Sequence, residues 1–228
     1  HNGSALFTGD AGQGESEIRK YLFENDLLEA IIALPNDLFY NTGIPTYIFI
    51  LTNKKEKKRK GKLQLINVTA EQFYSKMRKP LGKKRVQFDV NHIKAITKLF
   101  LDFENNQHSI ILDNTDFGYS QITVHQPEKD EQGNVVLDSK GKPKSDAKLR
   151  DIENIPLKES INDFFETEVL PFVPDAWYNP KETKIGYEVN FAKYFYQYQA
   201  PRTLAAITND ILAIEQETEH LLKEIIEA

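Results

Sequence analysis

The chain has 228 residues, of which 40% are hydrophobic and 28% are charged, as is ordinary for a soluble globular protein of one or two domains. It contains no cysteine, which excludes disulfides and cysteine-based metal or redox chemistry and is typical of a cytoplasmic protein. No apolar run is long enough to cross a membrane, so we expect no membrane partner. Because the only methionine is Met77, we expect the chain to be part of a longer protein.

Charge is divided unevenly along the chain. Residues 1–100 hold 17 Lys and Arg against 10 Asp and Glu, whereas residues 101–228 hold 12 against 24. The basic half indicates a polyanionic partner, and the acidic half indicates a different kind of surface.

The first segment is rich in glycine but lacks the context of a cofactor loop. A nucleotide-binding Gly-rich loop follows a buried strand, and only His1 to Phe7 precede the glycines at 9–14. We therefore predict a flexible turn, followed by a helix over 17–25 that Ser16 caps. The apolar residues that share one face of this helix are Ile18, Tyr21 and Leu22.

The stretch 30–52 predicts two buried strands around a polar loop. Both strand segments are rich in Ile and aromatic residues, and proline bounds the loop at each end. Because both faces of these strands are apolar, we expect helices on both sides of the sheet. The loop places two aromatic residues beside small hydrogen-bonding ones, which suits stacking on a planar base: Phe39, Tyr40, Asn41 and Thr42. The alternative is that the aromatic side chains anchor the loop to the core.

Two basic clusters follow this loop. Residues 54–62 hold seven Lys and Arg and one acid, and they form either a solvated hairpin turn or a contact with nucleic-acid phosphates. A strand is predicted over 63–68, and a short helix capped by Thr69 reaches Tyr74. The second cluster contains Lys76, Arg78, Lys79, Lys83, Lys84 and Arg85. Two clusters in one half favour nucleic-acid contact more than either does alone.

The middle of the chain alternates predicted helices with irregular segments. Apolar residues at helical spacing predict helices over 90–102 and 157–170. Between them we expect irregular structure with a strand over 119–124, then an exposed excursion over 127–148 to which we assign no chemistry. The aromatic residues between 177 and 198 either pack as a core or stack on nucleic acid. The histidines lack metal-site spacing, so we expect no metal.

The last helix is predicted over 201–226. Its apolar residues are spaced alternately by three and four, a heptad seam interrupted only by Thr218, and they are Leu204, Ile207, Ile211, Ile214, Leu221 and Ile225. A narrow seam between polar faces favours a partner helix, with packing against a globular core as the alternative.

Four early segments resemble the modification subunit of type I restriction–modification enzymes, which are N6-adenine DNA methyltransferases. They are Gly-Ser-Ala-Leu-Phe-Thr-Gly at 3–9, Gly-Glu-Ser-Glu-Ile-Arg at 14–19, Glu-Ala-Ile-Ile-Ala-Leu-Pro at 29–35 and Leu-Phe-Tyr-Asn-Thr-Gly-Ile at 38–44. The similarity continues in order through 76–82, 116–119, 171–177 and 185–188. Each motif is weak alone, and their succession along nearly the whole chain carries the resemblance.

The resemblance implies an α/β fold, in which the chain forms the carboxyl half of a Rossmann-like methyltransferase sheet followed by a mostly helical carboxyl-terminal region. The expected segments are the carboxyl half of the catalytic domain over 1–105, a mixed and helical region over 106–200, and a coiled-coil-like helix over 201–228. The implied activity is transfer of a methyl group from S-adenosylmethionine to N6 of adenine in DNA. The family's Asn/Asp-Pro-Pro-aromatic motif is missing here, since Asn179-Pro180 is followed by Lys181. The family's donor loop is missing too, so we expect no catalytic residue in this piece and donor binding mainly outside it.

The resemblance also assigns roles to residues. It places Phe39 in the loop that stacks on the extruded adenine, with Tyr40, Asn41 and Thr42 beside it. The expected DNA-backbone contacts are Lys57, Lys58, Arg59, Lys60, Lys79, Lys83, Lys84 and Arg85. The implied partners are double-stranded DNA, a specificity subunit that binds the last helix, a second modification subunit and a restriction subunit. The alternative function is a nucleic-acid-binding or scaffold module without chemistry.

Overall fold

The computed structural model describes residues 1–196, 198 and 201–226, and the side chains of 1–196, 198, 201–216 and 218. Its helices are α1 (Gly14–Glu24), α2 (Val90–Asp102), α3 (Ile161–Phe164), α4 (Phe191–Phe195) and α5 (Leu204–Ile226). Its strands are β1 (Leu28–Leu34), β2 (Thr46–Leu51), β3 (Lys62–Asn67), β4 (Ser75–Leu81), β5 (Lys84–Gln87), β6 (Ser109–Asp113), β7 (Gly118–His125), β8 (Asp151–Pro156), β9 (Trp177–Tyr178) and β10 (Lys184–Tyr187). Short 3₁₀ turns lie at Gly3–Leu6, Lys57–Arg59, Glu71–Phe73, Asn114–Phe117 and Pro180–Glu182, and a π-helical turn, Phe165–Val169, continues α3.

A four-stranded mixed sheet of order β2-β1-β3-β6 forms the first layer. β1 runs parallel to β3, with Ile31 opposite Leu65, and antiparallel to β2. Apolar side chains on the two faces of β1 enter different core clusters, Ile31 with Phe23 of α1 and Ile32 with residues that α2 covers. Helices therefore lie on both sides of this sheet, as the apolar runs predicted.

The strand β2 is more exposed than expected. The side chains of Ile48 and Leu51 are both about half exposed, whereas β1 is buried almost throughout. In the described residues, β2 pairs along its length only with β1 and has an isolated bridge between Thr46 and Asn2 on its other side. The two strands are confirmed, but the expectation that both are fully buried is wrong for β2, because β2 is an edge strand of the sheet.

The buried face of α1 differs from the predicted one. Ile18 and Tyr21 are 63% and 61% exposed, and the buried positions are Ser16, Arg19 and Phe23. Arg19 is buried because its guanidinium donates to the carbonyl oxygens of Tyr187 at 2.6 Å and Thr8 at 2.7 Å. Burial lowers the pKa of the Arg19 guanidinium. The N-cap is Gln13 rather than Ser16.

The helix α2 has the predicted bounds for a local reason. The carboxylate of Asp89 accepts hydrogen bonds from the backbone N–H groups of Asn91 at 2.8 Å and His92 at 3.0 Å, and the His92 ring accepts from the Asp89 N–H. This reciprocal capping box satisfies free donors of the first turn. The helix ends at Phe103, whose φ of 51° is left-handed.

The region after residue 105 contains a second sheet. Its strands are antiparallel in the order β10-β7-β8, and β9 also pairs with β7. The expectation of a mostly helical region is therefore wrong for 106–195, although β7 contains the strand predicted over 119–124. The helical turn over 161–169 packs Phe165 and Val169 against this sheet. The aromatic ring of Phe23 lies 5.2 Å from Phe117 and 5.0 Å from Tyr187, so one core joins residues from both sides of position 105.

The excursion over 127–148 is made of exposed hairpin turns. The N–H of Glu128 donates to Lys144 O at 2.8 Å, and that of Val136 donates to Glu128 O at 2.8 Å. Its side chains are mostly exposed, so backbone pairing rather than an apolar core holds it.

Residues from Tyr196 onward form a unit of their own, and the first unit extends from His1 to Phe195. The second unit contains α5, in which Leu204 is 83% exposed, Ile211 59% and Ile214 63%. Ile207 is 39% exposed, whereas the predicted seam residues Leu221 and Ile225 belong to α5 but their side chains lie outside the described part. Within the described residues, the helices are too short or too polar to cross a membrane.

Candidate nucleic-acid interface

The loop between β1 and β2 leaves the sheet at the carboxyl end of β1. Proline at 35 ends the strand because it has no N–H to donate to a neighbour. Asp37 then adopts a left-handed φ of 59°, and Leu38 is buried in the same core cluster as Val86. The turn that follows presents Phe39, which is 46% exposed, at its tip.

The predicted base-binding residues share this turn. An isolated bridge joins Phe39 to Thr42, and Tyr40 is 57% exposed. Asn41 is exposed and Thr42 is half-buried, with its hydroxyl accepting from the N–H of Ile44 at 3.3 Å. Leu38 thus anchors the loop to the core, while the two aromatic residues after it face solvent and are free to contact a ligand.

A hairpin formed by β4 and β5 lies beside this loop and is bonded to it. The N–H of Lys83 donates to Tyr40 O at 2.9 Å, and the N–H of Arg85 donates to Asp37 O at 2.8 Å. The structure therefore joins two predicted parts of the interface, the base-binding loop and the second basic cluster. Sequence reasoning missed this contact because it depends on residues about 45 positions apart.

A cleft of about 690 Å³ lies between the loop and the hairpin, at the edge where β1 and β3 end. Its walls combine aromatic, acidic and basic side chains, including Tyr47, Tyr74, Asp37, Lys76 and Arg85. Burial raises the pKa of the Tyr47 phenol, so this side chain carries no charge at neutral pH. A cleft of this size that combines apolar, aromatic and charged side chains has the dimensions of a small-ligand site. Neither tyrosine was predicted to be a site residue, because the two positions are far apart in the sequence and carry no local signal.

The hairpin carries one sign of charge. Residues 75–88 contain six Lys and Arg and no Asp or Glu. Lys79, Lys83 and Arg85 are exposed, and Lys84 is half-buried. The ammonium of Lys76 pairs with the surface carboxylate of Glu71 at 2.8 Å, and this hydrogen bond raises the pKa of Lys76. The remaining exposed charges are available to an anion.

The first basic cluster has a different structural role from the predicted one. Arg59 is 3% exposed, and it lies 3.4 Å from the Glu29 carboxylate and donates to Gln64 Oε1 at 3.0 Å. Its guanidinium also donates to the Phe100 carbonyl and lies over the rings of Phe100 and Phe103. Arg59 is therefore not available as a DNA-backbone contact, and that expectation is wrong.

The other three residues predicted in this cluster are exposed: Lys57, Lys58 and Lys60. They precede the start of β3, whereas the base-binding loop follows the end of the parallel strand β1. The two basic clusters thus lie at opposite ends of the parallel strands β1 and β3. A seven-residue strand separates its two ends by about 20 Å.

The Gly-rich segment lacks the strand context of a nucleotide-binding loop. It follows the 3₁₀ turn Gly3–Leu6 instead of a strand and leads into α1. The Arg19 guanidinium donates to two carbonyl oxygens at the start of this segment, that of Thr8 at 2.7 Å and that of Gly9 at 3.3 Å.

The Asn-Pro pair is likewise engaged in local structure. The Asn179 side chain accepts from the N–H of Lys181 at 3.1 Å and donates to the Glu182 carboxylate at 2.8 Å. Both polar atoms of its amide cap a 3₁₀ turn.

Comparisons with known proteins match this part of the chain. A family model described as N-6 DNA Methylase matches residues 2–125. The type I restriction enzyme MjaVIII methylase subunit of Methanocaldococcus jannaschii is 37% identical over 101 residues, 44% of this chain and 16% of that protein. The MjaVII methylase subunit of the same organism is 48% identical over 67 residues, 29% of this chain and 11% of that protein. A solved structure of a type I restriction-modification system methyltransferase subunit from Streptococcus thermophilus is 26% identical with a TM-score of 0.41, over 50% of this chain and 22% of that one.

The family match includes the loop, the hairpin and every residue that lines the cleft. The chain spans only about a sixth of the length of the MjaVIII subunit. Because the matched residues make up more than half of the 228, the chain belongs to the N-6 DNA Methylase family.

Proposed function

We propose that the intact protein containing this chain is the modification subunit of a type I restriction–modification enzyme. It transfers a methyl group from S-adenosylmethionine to N6 of adenine in double-stranded DNA. This chain supplies the target-base loop, contacts to the DNA backbone and a surface for subunit assembly. The donor site and the catalytic motif lie mainly outside it.

The family match over residues 2–125 carries this proposal, because the same residues build the cleft and its aromatic loop. An enzyme that modifies a base must take it out of the stack and hold it, and an exposed aromatic ring at the rim of a cleft does that by stacking. Phe39 has this exposure, and its neighbour Leu38 fixes the loop to the core.

The DNA-backbone contacts follow from the remaining exposed cations. Lys79, Lys83, Lys84 and Arg85 lie on or next to the hairpin that borders the cleft, so they are placed to meet phosphates flanking the held base. Lys57, Lys58 and Lys60 stay proposed contacts at the opposite end of the parallel strands β1 and β3. The seam of α5 is the proposed surface for a specificity subunit, in a complex that also holds a second modification subunit and a restriction subunit.

Replacement of Phe39 by alanine tests the proposal in the intact subunit assembled with its specificity subunit. Since a base–aromatic stack contributes about 1–3 kcal/mol, the change should lower kcat/KM for adenine methylation by roughly 5- to 150-fold. Methylation is measured as transfer of a labelled methyl group to DNA. The fold should persist by circular dichroism, because the Phe39 side chain is 46% exposed.

Phe172→Ala is the matched control, since Phe172 is an 81% exposed phenylalanine that lies outside the loop between β1 and β2. Equal kinetics for Phe39→Ala, Phe172→Ala and the parent would remove Phe39 from the base site. A parent complex that binds DNA but transfers no methyl group would support the non-enzymatic alternative instead.

A further inference from the structure

The hairpin and the base-binding loop approach each other closely at Gly82. This glycine turns the chain between β4 and β5 with a φ of +60°, and a Cβ added to it would lie 2.8 Å from Tyr40 O and 3.0 Å from Cε2 of the Tyr40 ring. Only a residue without a side chain fits both the left-handed backbone and this contact. The turn of the hairpin is therefore pressed against the backbone of the loop.

The backbone of the loop is held on both sides of Phe39. The carbonyl of Asp37 accepts from the N–H groups of Arg85 at 2.8 Å and Val86 at 3.3 Å, and the carbonyl of Tyr40 accepts from Lys83 N–H at 2.9 Å. Two residues that donate these backbone bonds also carry exposed cationic side chains. The backbone that carries these cations is thus bonded directly to the backbone of the loop on either side of Phe39.

We propose that the hairpin positions the base-binding loop for stacking on one unstacked nucleotide of DNA, and that cations on the same hairpin bind the phosphodiester next to the stacked base. The base lies against Phe39, and the adjacent phosphodiester lies against Lys83 and Arg85. Gly82 is the positioning residue that sets the distance between the two. This inference rests on the proposed function of the loop in binding a base.

The charges around the cleft agree with this ligand. Arg85 and Lys76 both line it, and among the described lining residues only Asp37 is acidic. The carboxylate of Asp37 packs against Gly43, where an added Cβ would lie 2.6 Å from Oδ1. A phosphodiester carries one negative charge, which the guanidinium of Arg85 can bind with two parallel hydrogen bonds.

The first test compares two glycine substitutions in the intact protein without methyl donor. Gly82→Ala introduces both a strained φ and the contact with Tyr40, whereas Gly141→Ala introduces a similar strain at φ +73° with nothing within 4 Å of the new Cβ. The probe is a short single-stranded DNA that carries one 2-aminopurine, whose fluorescence falls when the base stacks. Gly82→Ala should raise the Kd about fivefold or more, as loss of a stack does, and leave the bound probe brighter. Gly141→Ala should match the parent, and equal effects of the two variants would overturn the proposal.

The second test removes the cations and keeps the backbone donors. Lys83→Gln with Arg85→Gln should flatten the slope of log Kd against log salt by about 0.7 for each lost phosphate contact with a single strand. At saturating probe the quenching should persist, since the loop is still held. The control, Lys140→Gln with Lys148→Gln, removes two exposed charges from the excursion and should leave the slope unchanged.

If the Lys83→Gln, Arg85→Gln variant has the same salt slope as the control, the proposed phosphate contacts are overturned. This second test decides the proposal if Gly82→Ala does not fold. Both arms measure binding alone, so they are distinct from the methylation assay. Absence of methyl transfer by the parent complex would contradict the proposed function, while loss of the difference between variant and control would contradict only this role of the hairpin.

Discussion

Basic residues that are neighbours in the sequence differ in burial, and the buried ones pair with an acidic side chain from elsewhere in the chain. Lys55 and Arg59 belong to the same run as Lys57 and Lys60, yet the first two are buried and the last two are exposed. The Asp26 carboxylate accepts a hydrogen bond from the Lys55 ammonium at 2.5 Å. A buried cation needs such a partner, because removal from water is costly without one. The sequence shows these charges but does not show which acids pair with them, because the acidic partners lie about 30 residues away in the sequence.

Arg59→Gln should destabilise the fold by about 3 kcal/mol, since it leaves the Glu29 carboxylate without its buried partner. Urea unfolding followed by circular dichroism measures this. Lys60→Gln, one residue away and exposed, should change the free energy of unfolding by less than about 0.5 kcal/mol. A small loss in both variants would mean that Arg59 is a surface residue after all.

The Asp26 carboxylate makes stability depend on pH. Burial alone would raise its pKa, but hydrogen bonds from Lys55, Gly61 and Asn114 outweigh burial and hold the pKa below its usual value. A carboxyl with a lowered folded pKa stabilises the protein above its unfolded pKa of about 3.9, and this contribution is lost as the pH falls through the folded pKa. The parent should therefore lose stability below about pH 4.

Asp26→Asn should lower the free energy of unfolding at neutral pH by about 2 kcal/mol, because Lys55 loses its charged partner. It should also lose less stability than the parent when urea unfolding is repeated between pH 5 and the acid limit. Asp175→Asn is the control, as its carboxylate forms a surface pair with Lys129 at 3.0 Å. Identical pH profiles for the parent and Asp26→Asn would contradict the role of this carboxylate.

At the scale of elements, local patterns were predictable and long-range pairings were not. β1, β3 and α2 have continuous apolar runs or helical spacing and a capping aspartate, and all three match their predicted ranges closely. The strands β6 and β8 were missed because they are short, and β6 is mostly half-exposed while β8 is mostly exposed, so their apolar pattern is weak. The face of α1 was misjudged since a buried arginine reads as polar in any hydrophobic pattern.

In the candidate site too, the local feature was predictable and the long-range contact was not. The aromatic loop stands out because proline bounds it and Phe39 follows an anchoring leucine. Its contact with the hairpin was not predictable, as backbone hydrogen bonds such as that of Lys83 with Tyr40 depend on tertiary position and not on side-chain identity.

The excursion should be dispensable for the fold. Replacing 129–143 by a short Gly-containing turn removes mainly exposed residues and the surface pair of Lys129 with Asp175, while β7 and β8 keep their pairing. Shortening a loop costs little in stability, so the melting temperature should change by no more than a few degrees. Differential scanning fluorimetry measures it. A collapse of the fold would show that 127–148 is part of the core.

At the scale of the whole molecule, the 228-residue chain should bind no methyl donor by itself. The glycines at 9–14 follow a 3₁₀ turn, whereas a nucleotide-binding Gly-rich loop follows a buried strand. Isothermal titration of S-adenosylmethionine into the chain should give no heat of binding at micromolar concentration, whereas the intact protein should bind. Micromolar binding to the chain alone would return the glycine segment to consideration as a donor site.

The helix α5 is the proposed surface for subunit assembly. Its unit contains Leu204, Ile211 and Ile214 as exposed apolar residues, and an apolar face of this kind is typical of a surface that a partner covers. A heptad seam fits the groove of another helix, and the proposed partner is the specificity subunit. Ile211→Glu with Ile214→Glu places two charges in that seam, each replacing a side chain that contributes about 1.5–3 kcal/mol when fully buried.

In the intact protein, this double variant should keep the melting temperature of the parent and fail to elute with the specificity subunit in gel filtration. Asp210→Asn with Glu215→Gln, on polar positions of the same helix, is the matched control and should still assemble. If the seam instead packs on the subunit's own core, the glutamate variant will unfold before assembly is reached. A variant that both melts normally and assembles normally would show that this helix face contacts neither.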